Sequence, residues 1–207
     1  LRSEENELKD ITEKTRNDNK RTIINDLSAL LTRISNIKFL DPASGSGNFL
    51  IIAYKEIRRL EIKILQLLGD LQNNDSMPLS VIHLGNFNGI ELDDFAHEVA
   101  RLSLWIAEHQ MNKELEEAIP GTIAELLPLK DAGNIVCANS LRVDWDQVTH
   151  FSKEDEIYIM GNPPYIGAKK QTPLQKEELE SALDGNKKYS LKKGLVGDRI
   201  KTRNCCD

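Results

Sequence analysis

Cysteine is scarce in this chain, with only Cys137, Cys205 and Cys206 among 207 residues. The three form no disulfide framework and share no metal-ligand spacing with the four histidines, which sets zinc chemistry aside. No apolar run approaches the length of a membrane span and no leader-like segment opens the sequence, so a soluble cytoplasmic protein without membrane contact is expected. There is no internal repeat. The first methionine is Met77, inside a loop reading, and the chain opens on Leu1, so an excised piece of a longer protein is expected. With 40% hydrophobic and 29% charged residues, the chain can bury one core and is neither disordered nor fibrous.

Positive charge is also missing where a DNA-binding surface would need it. Asn186 to Asp207 carries seven Lys/Arg against two Asp, leaving a net −11 for residues 1–185. Neutralisation of phosphates by Lys and Arg supplies most nonspecific affinity for DNA, so an enzyme of this composition that acts on DNA needs a basic surface from elsewhere.

The stretch Phe39-Leu40-Asp41-Pro42-Ala43-Ser44-Gly45-Ser46-Gly47-Asn48-Phe49-Leu50 organises the rest. Ile37 to Leu40 predicts a buried strand, Gly45 and Gly47 permit positive φ and close backbone approach, and Phe49 to Leu68 is apolar at helical spacing. This is a loop that receives a nucleotide-type cofactor. A carboxylate at the strand end, Asp41, would repel phosphate and attract an ammonium group, so the implied ligand has a cationic end and no phosphate. The third glycine of a dinucleotide-binding Gly-x-Gly-x-x-Gly is absent, since Leu50 stands there, and this disfavours an oxidoreductase.

Further strands read at Phe87 to Glu91, Asn134 to Ala138 and Ile157 to Met160. Their ends deliver Glu91, Asn139-Ser140 and Asn162-Pro163-Pro164-Tyr165, so with Asp41 four strand ends carry polar signatures, as on the rim of an open, doubly wound, Rossmann-like α/β sheet. Glu91 is placed to accept both ribose hydroxyls and Leu92 to pack on adenine. The competing reading of an acid at a helix N-cap fits Asp93 or Asp94 better. Asn162 to Tyr165, taken alone, also reads as a rigid turn.

Between the strands, Thr22 to Arg33 predicts an amphipathic helix with Ile23, Ile24, Leu27, Leu30 and Leu31 on one face. The helix opened by Asn48 is expected to end near Gly69-Asp70 with Leu60 and Leu67 among its core residues. Phe95 to Gln110 is expected to bury Phe95, Val99, Leu102, Leu104, Trp105 and Ile106, with His97 and His109 as ordinary helix residues. Lys113 to Lys130, with Pro120-Gly121 and Pro128, reads as an excursion, and Leu141 to Glu156 as a polar connection. Leu1 to Lys20 is strongly polar and reads as a solvated or frayed terminus.

Asp-Pro-Ala-Ser-Gly-Ser-Gly-Asn-Phe-Leu resembles the first S-adenosylmethionine motif of amino-group DNA methyltransferases, with Ser44 where many members have Cys. With Asn-Pro-Pro-Tyr following it, the order is similar to that of N6-adenine enzymes in which a target-recognition domain follows the catalytic one. The flanks resemble large restriction-modification enzymes that join endonuclease, methyltransferase and recognition domains in one chain. The similarity covers roughly Ser3 to Leu183, and Ser3-Glu4-Glu5-Asn6 is similar to the end of an upstream motif lining the methionine side of the cofactor.

The resemblance implies a cofactor site of Asp41, Pro42, Ala43, Gly45, Gly47, Asn48, Phe49, Glu91, Leu92, Asn139 and Ser140, with Asn139 contacting the adenine amino edge. Many relatives have Asp at that position. It implies a catalytic set of Asn162, Pro163, Pro164 and Tyr165, no metal, and double-stranded DNA with a flipped adenine as partner. The Asn162 side-chain oxygen and the Pro163 carbonyl would each accept one adenine amino hydrogen, drawing the nitrogen toward tetrahedral geometry, while Tyr165 stacks on the base. Such alignment can contribute ~7–11 kcal/mol, so no covalent nucleophile is required. The absence of a Pro-Cys pair argues against cytosine C5 chemistry.

Two alternatives stay open: methylation of a protein glutamine by enzymes that also use Asn-Pro-Pro-Tyr, and a fragment that binds cofactor without catalysing. The expected organisation is a helical segment over 1–36, a partial catalytic core over 37–185 and a basic tail over 186–207. That tail does not resemble the family's continuation. Truncation or an altered reading frame after Gly185 is expected, against the alternative of a basic loop on DNA. The isolated chain is then expected to be inactive and to self-associate through an exposed fourth-strand edge.

Overall fold

The computed structural model describes residues 2–72, 79–122, 134–149, 151–152, 155–162, 172–173 and 176, with side chains of the first helix from residue 17 onward. Pro163, Pro164, Tyr165 and the basic tail from Asn186 to Asp207 lie outside the described residues. Among the described residues no helix is long and apolar enough to cross a membrane.

In chain order the elements are α1 (Arg2–Ser35), β1 (Lys38–Asp41), α2 (Asn48–Gln72), β2 (Phe87–Glu91), α3 (Asp94–Ala118), β3 (Asn134–Cys137), α4 (Trp145–Thr149) and β4 (Ile157–Ile159). The strands form one open sheet in the order β3-β2-β1-β4, with every pairing parallel. Phe39 lies opposite Phe87 and Tyr158, and Ile90 opposite Val136. The expected strand bounds hold to within a residue.

Alternation along the strands sorts side chains onto two faces. Phe39 and Phe87 stack at 4.7 Å between ring centroids, Tyr158 lies 5.8 Å from Phe39, and Tyr54 of α2 meets Phe87 edge-on at 5.2 Å. On this face α1, α2 and α3 bury the larger core, including Ile34, Leu50, Ile64, Leu104 and Met111. On the opposite face Leu40 and Ile90 pack with Trp145 of α4. Helices thus lie on both faces of a parallel sheet, the doubly wound arrangement expected.

Several expectations need correction. Residues 2–20 are not frayed but continue into the amphipathic stretch as one helix, α1. No glycine or proline precedes Pro42, so nothing in the sequence interrupts helix propagation there. Ile23 is exposed, and the inner face of α1 is Leu27, Leu30, Leu31 and Ile34. Leu60 and Leu67 of α2 are exposed. In α3 the buried face is Ala100, Leu104, Ala107, Glu108, Met111 and Leu115, whereas Phe95 (77% exposed), Leu102 and Ile106 face outward. Ala100 lies against Gly47, where a larger residue would not fit, and this close seating on the loop after β1 is part of what fixes the buried face. The third helix also runs through residues assigned to the excursion, ending at Ala118 before Pro120. The connection after Leu141 contains α4, whose Trp145 is buried and donates from Nε1 to the Ser140 carbonyl at 2.9 Å. His97 is not merely a surface helix residue, since its Nε2 lies 3.0 Å from the Ile135 carbonyl and ties α3 to β3.

One ion pair is fully enclosed. Arg58 and Glu61, one turn apart on α2, have no exposed side-chain surface and bond through Nη1 and Oε2. Arg58 also donates to Asn112 of α3 at 2.9 Å, while Glu61 accepts from the Val81 and Ile82 N–H groups at 2.6 and 3.2 Å and from the Ser80 hydroxyl. The pair therefore joins α2, α3 and the approach to β2. Burial holds the adjacent Tyr54 phenol above its ordinary pKa. A buried pair is costly to half-remove, because the survivor stays charged in a medium that cannot solvate it. Arg58→Ala should lower the unfolding free energy by roughly 3–5 kcal/mol in urea denaturation at neutral pH. Arg59→Ala, one residue on in an exposed pair with Glu56 and Glu114, should change it little. Equal effects of the two would refute this account of the interior.

Candidate cofactor and base site

The loop between β1 and α2 is built by its glycines. Gly45 and Gly47 have φ of 53° and 82°, where a Cβ is strained. The Gly47 N–H donates to the Ser44 carbonyl at 2.8 Å and the Gly47 carbonyl accepts from the Ile51 N–H at 2.9 Å, which turns the chain directly into α2. Asn48 and Phe49 are exposed at the head of this helix. A Cβ on Gly47 would sit 3.2 Å from Ala100 Cβ, so the loop also rests closely on α3.

Asp41 closes β1 and is completely buried. Its Oδ1 accepts the Ala43 N–H at 3.0 Å, and its Oδ2 is buried with no hydrogen-bond partner. Burial pushes this carboxyl up to about 6, against the lowering effect of the Ala43 N–H and with a smaller raising contribution from Glu91. A buried polar atom without a partner is uncommon and calls for a physical reason. Here it is a free acceptor at the end of β1, where the glycine loop begins.

Glu91 closes β2 and holds the neighbouring loops together. Its Oε2 accepts the Gly45 N–H at 2.7 Å and its Oε1 accepts the Asp93 N–H at 2.9 Å. The Ser44 N–H donates to the Ile90 carbonyl at 3.0 Å, so the loop after β1 is fastened to the end of β2 at two consecutive residues. Asp93 is the N-cap of α3, accepting from Ala96 N–H at 2.7 Å, which separates the capping role from Glu91. Leu92 is 69% exposed beside it.

At the next strand end the Ala138 N–H donates to the Glu91 carbonyl at 2.8 Å, which brings Asn139 and Ser140 alongside. Asn139 forms a local turn, its side-chain oxygen accepting the Leu141 N–H at 2.9 Å and its carbonyl accepting from Arg142 and Val143. That oxygen retains a second lone pair for an outside donor. On the other flank the Met160 N–H donates to the Leu40 carbonyl at 2.9 Å, extending the β1–β4 pairing to the residue before Gly161-Asn162. Asn162 is exposed there. Along one rim of the sheet the order is therefore Asn139, Glu91, Asp41, Asn162. The rest of the Asn-Pro-Pro-Tyr motif, Pro163, Pro164 and Tyr165, lies outside the described residues.

Gly89 belongs to this arrangement although its role was not read from the sequence. A Cβ at Gly89 would lie 2.7 Å from Ile135 Cδ1 and 3.1 Å from Ser44, so the bare backbone of β2 makes room for the loop. A glycine inside a strand pattern is the signal that could have shown it.

The family described as MmeI, DNA-methyltransferase domain, matches residues 12–196. DNA methyltransferase A of Bacillus subtilis is 52% identical over 155 residues, 75% of this chain and 18% of that protein. A putative type II restriction enzyme and methyltransferase of Methanocaldococcus jannaschii is 40% identical over 119 residues, 58% of this chain and 10% of that protein. Among solved structures, the type IIL restriction-modification enzyme MmeI in complex with DNA superposes with a TM-score of 0.67 at 37% identity, covering 79% of this chain and 22% of that one. The chain thus spans about a fifth or less of the length of these relatives. A match over most of the sequence, joined to the same open α/β fold at 37% identity, places the chain in the MmeI DNA-methyltransferase domain family.

Proposed function

We propose that this chain is the catalytic core of a restriction-modification enzyme that transfers a methyl group from S-adenosylmethionine to the N6 amino group of adenine in double-stranded DNA. The observation that carries the reading is the buried, half-satisfied carboxylate of Asp41 at the end of β1, one strand from Glu91 and one from Asn162. S-adenosylmethionine supplies an electrophilic sulfonium methyl. The residues present fit its other parts. Asp41 Oδ2 is a buried acceptor that a cationic amino group would satisfy, and each oxygen of Glu91 keeps a lone pair for a ribose hydroxyl beyond the N–H it already accepts. Leu92 offers exposed apolar surface for adenine and Asn139 an acceptor for its amino edge.

Asn162 would receive one hydrogen of the target amino group and Pro163 the other, with Tyr165 stacking on a base rotated out of the duplex. Recognition of the DNA sequence, and most of its electrostatic grip, would come from further domains such as a target-recognition domain, with an endonuclease domain as another expected companion. The substrate words in the relatives' names favour DNA over a protein glutamine. A cytoplasmic setting is part of this proposal.

The chain should be tested in a chimera, replacing the matching segment of the Bacillus subtilis relative. Nucleoside mass spectrometry should then find N6-methyladenine. Asn162→Ala should reduce turnover by roughly 10²-fold or more, a loss typical of removing one preorganised hydrogen-bonding group, while cofactor affinity stays nearly intact. A loss of cofactor binding matching the loss of turnover would make the turn structural, and methylated cytosine would overturn the substrate.

The raised pKa of Asp41, about 6, gives a pH dependence of definite sign. A cationic ligand binds the ionised carboxylate, so affinity for S-adenosylmethionine should fall by up to roughly ten-fold per unit as pH drops below about 6 from its value at pH 7. Titration calorimetry across this range checks it, and pH-independent binding down to pH 5 would refute the assignment.

Without ligand the effect on folding runs the other way. The folded chain holds this proton more tightly than the unfolded one, so Asp41 lowers stability as pH rises from about 4 through about 6. Asp41→Asn should therefore raise Tm at pH 7 relative to the parent chain, with the difference closing near pH 4. A lower Tm for this variant at every pH would contradict the account.

A further inference from the structure

We infer that Gly161 is a positioning residue, whose missing side chain lets the Asp41 carboxylate pack beneath the start of the Asn162 turn so that one contact sets the cofactor loop and the base-holding turn together. The inference rests on the functional reading above and adds to it a residue that neither motif contains.

The geometry is local and specific. The Met160 N–H bonds the Leu40 carbonyl, so the chain leaving β4 passes directly over the end of β1. A Cβ built on Gly161 would lie 2.5 Å from Asp41 Oδ1, 3.2 Å from its Cγ and 3.6 Å from Pro42 Cδ. The first distance is far inside van der Waals contact. Asp41 has nowhere to yield, because its side chain is short and fully buried, and Oδ1 is held by the Ala43 N–H. Glycine is not needed here for backbone conformation, since positive φ among the described glycines occurs at Gly45, Gly47 and Gly121 only. The requirement at 161 is for space.

Any side chain at 161 must then move one of two groups. Either the Asp41 carboxylate rotates out of its pocket and the cofactor's cationic end loses its partner, or the exit from β4 shifts and Asn162 is carried with it. Gly161 and Asn162 are exposed, whereas the Asp41 carboxylate beneath is buried and packed, so a displacement there is transmitted and not absorbed. Gly85 provides a contrast, since a Cβ there meets nothing within 4 Å.

The test is a double-mutant cycle on the 207-residue chain with Gly161→Ala, Asp41→Ala and the two combined, Gly85→Ala serving as control. By titration calorimetry, Gly161→Ala and Asp41→Ala should each weaken S-adenosylmethionine binding by roughly ten-fold or more, the loss expected for a charge-assisted bond. The double variant should bind no worse than Asp41→Ala alone, because the atom that the new methyl group strikes is gone. A second cycle reads Tm without ligand: Gly161→Ala should lower Tm in the parent chain and leave it unchanged in the Asp41→Ala background. Additive losses in either cycle, or a Gly161→Ala chain that behaves like Gly85→Ala, would overturn the inference. If the parent chain does not bind S-adenosylmethionine, the proposed function fails while the Tm cycle still decides the contact.

Discussion

The reversal of strand order at β1 is the constraint from which the site follows. Having laid β2 and β3 on one side of β1, the chain returns to place β4 on the other, so the ends of β1 and β4 lie side by side where the strand order turns back. A crevice at the carboxyl ends of these strands is unavoidable in such a topology. Asp41 stands at its floor, buried because β2 and β4 flank its strand on both sides. Its polarity, its burial and its unsatisfied oxygen are consequences of that location.

Among the described residues, two fully buried charged groupings are held in different ways. Arg58 and Glu61 face each other and form further bonds with Asn112, Ser80, Val81 and Ile82, so each charge is compensated even though Arg58 Nε has no partner of its own. Asp41 has one backbone N–H and no cation. The first grouping fastens helices to the sheet, whereas the second destabilises the empty protein in a way that a cationic ligand would reverse. What separates the two is charge balance, since the guanidinium has a carboxylate beside it and the Asp41 carboxyl has no cation.

Much of this was legible in the residues. The strand Phe87–Glu91, the start of α2 at Asn48, the glycine loop and the separation of Glu91 from its capping neighbour Asp93 all follow from local rules of period, turn and cap. What escaped was set by tertiary contact. Phe95, Leu102 and Ile106 have the spacing of a buried face, yet α3 turns Ala100, Leu104, Met111 and Leu115 inward, with Ala100 seated against Gly47, a contact between distant parts of the chain that periodicity does not show. Trp145 sat in a polar stretch whose composition gave no sign of a helix covering the second face of the sheet. Gly89 and Gly161 are invisible to periodicity, since their contribution is the space they leave for Ser44 and Asp41.

Glu91 shows how the site can be prepared before any ligand arrives. Both of its oxygens are engaged by N–H groups, Gly45 from the loop after β1 and Asp93 from the head of α3, so its carboxylate cannot swing between rotamers without breaking two bonds. A carboxylate oxygen can accept twice, and hydroxyls would add to these bonds without displacing them. The ordering entropy of the acid and of the glycine loop is then met during folding, leaving less to be lost on binding. The same bonds make the position of the glycine loop depend on the end of β2.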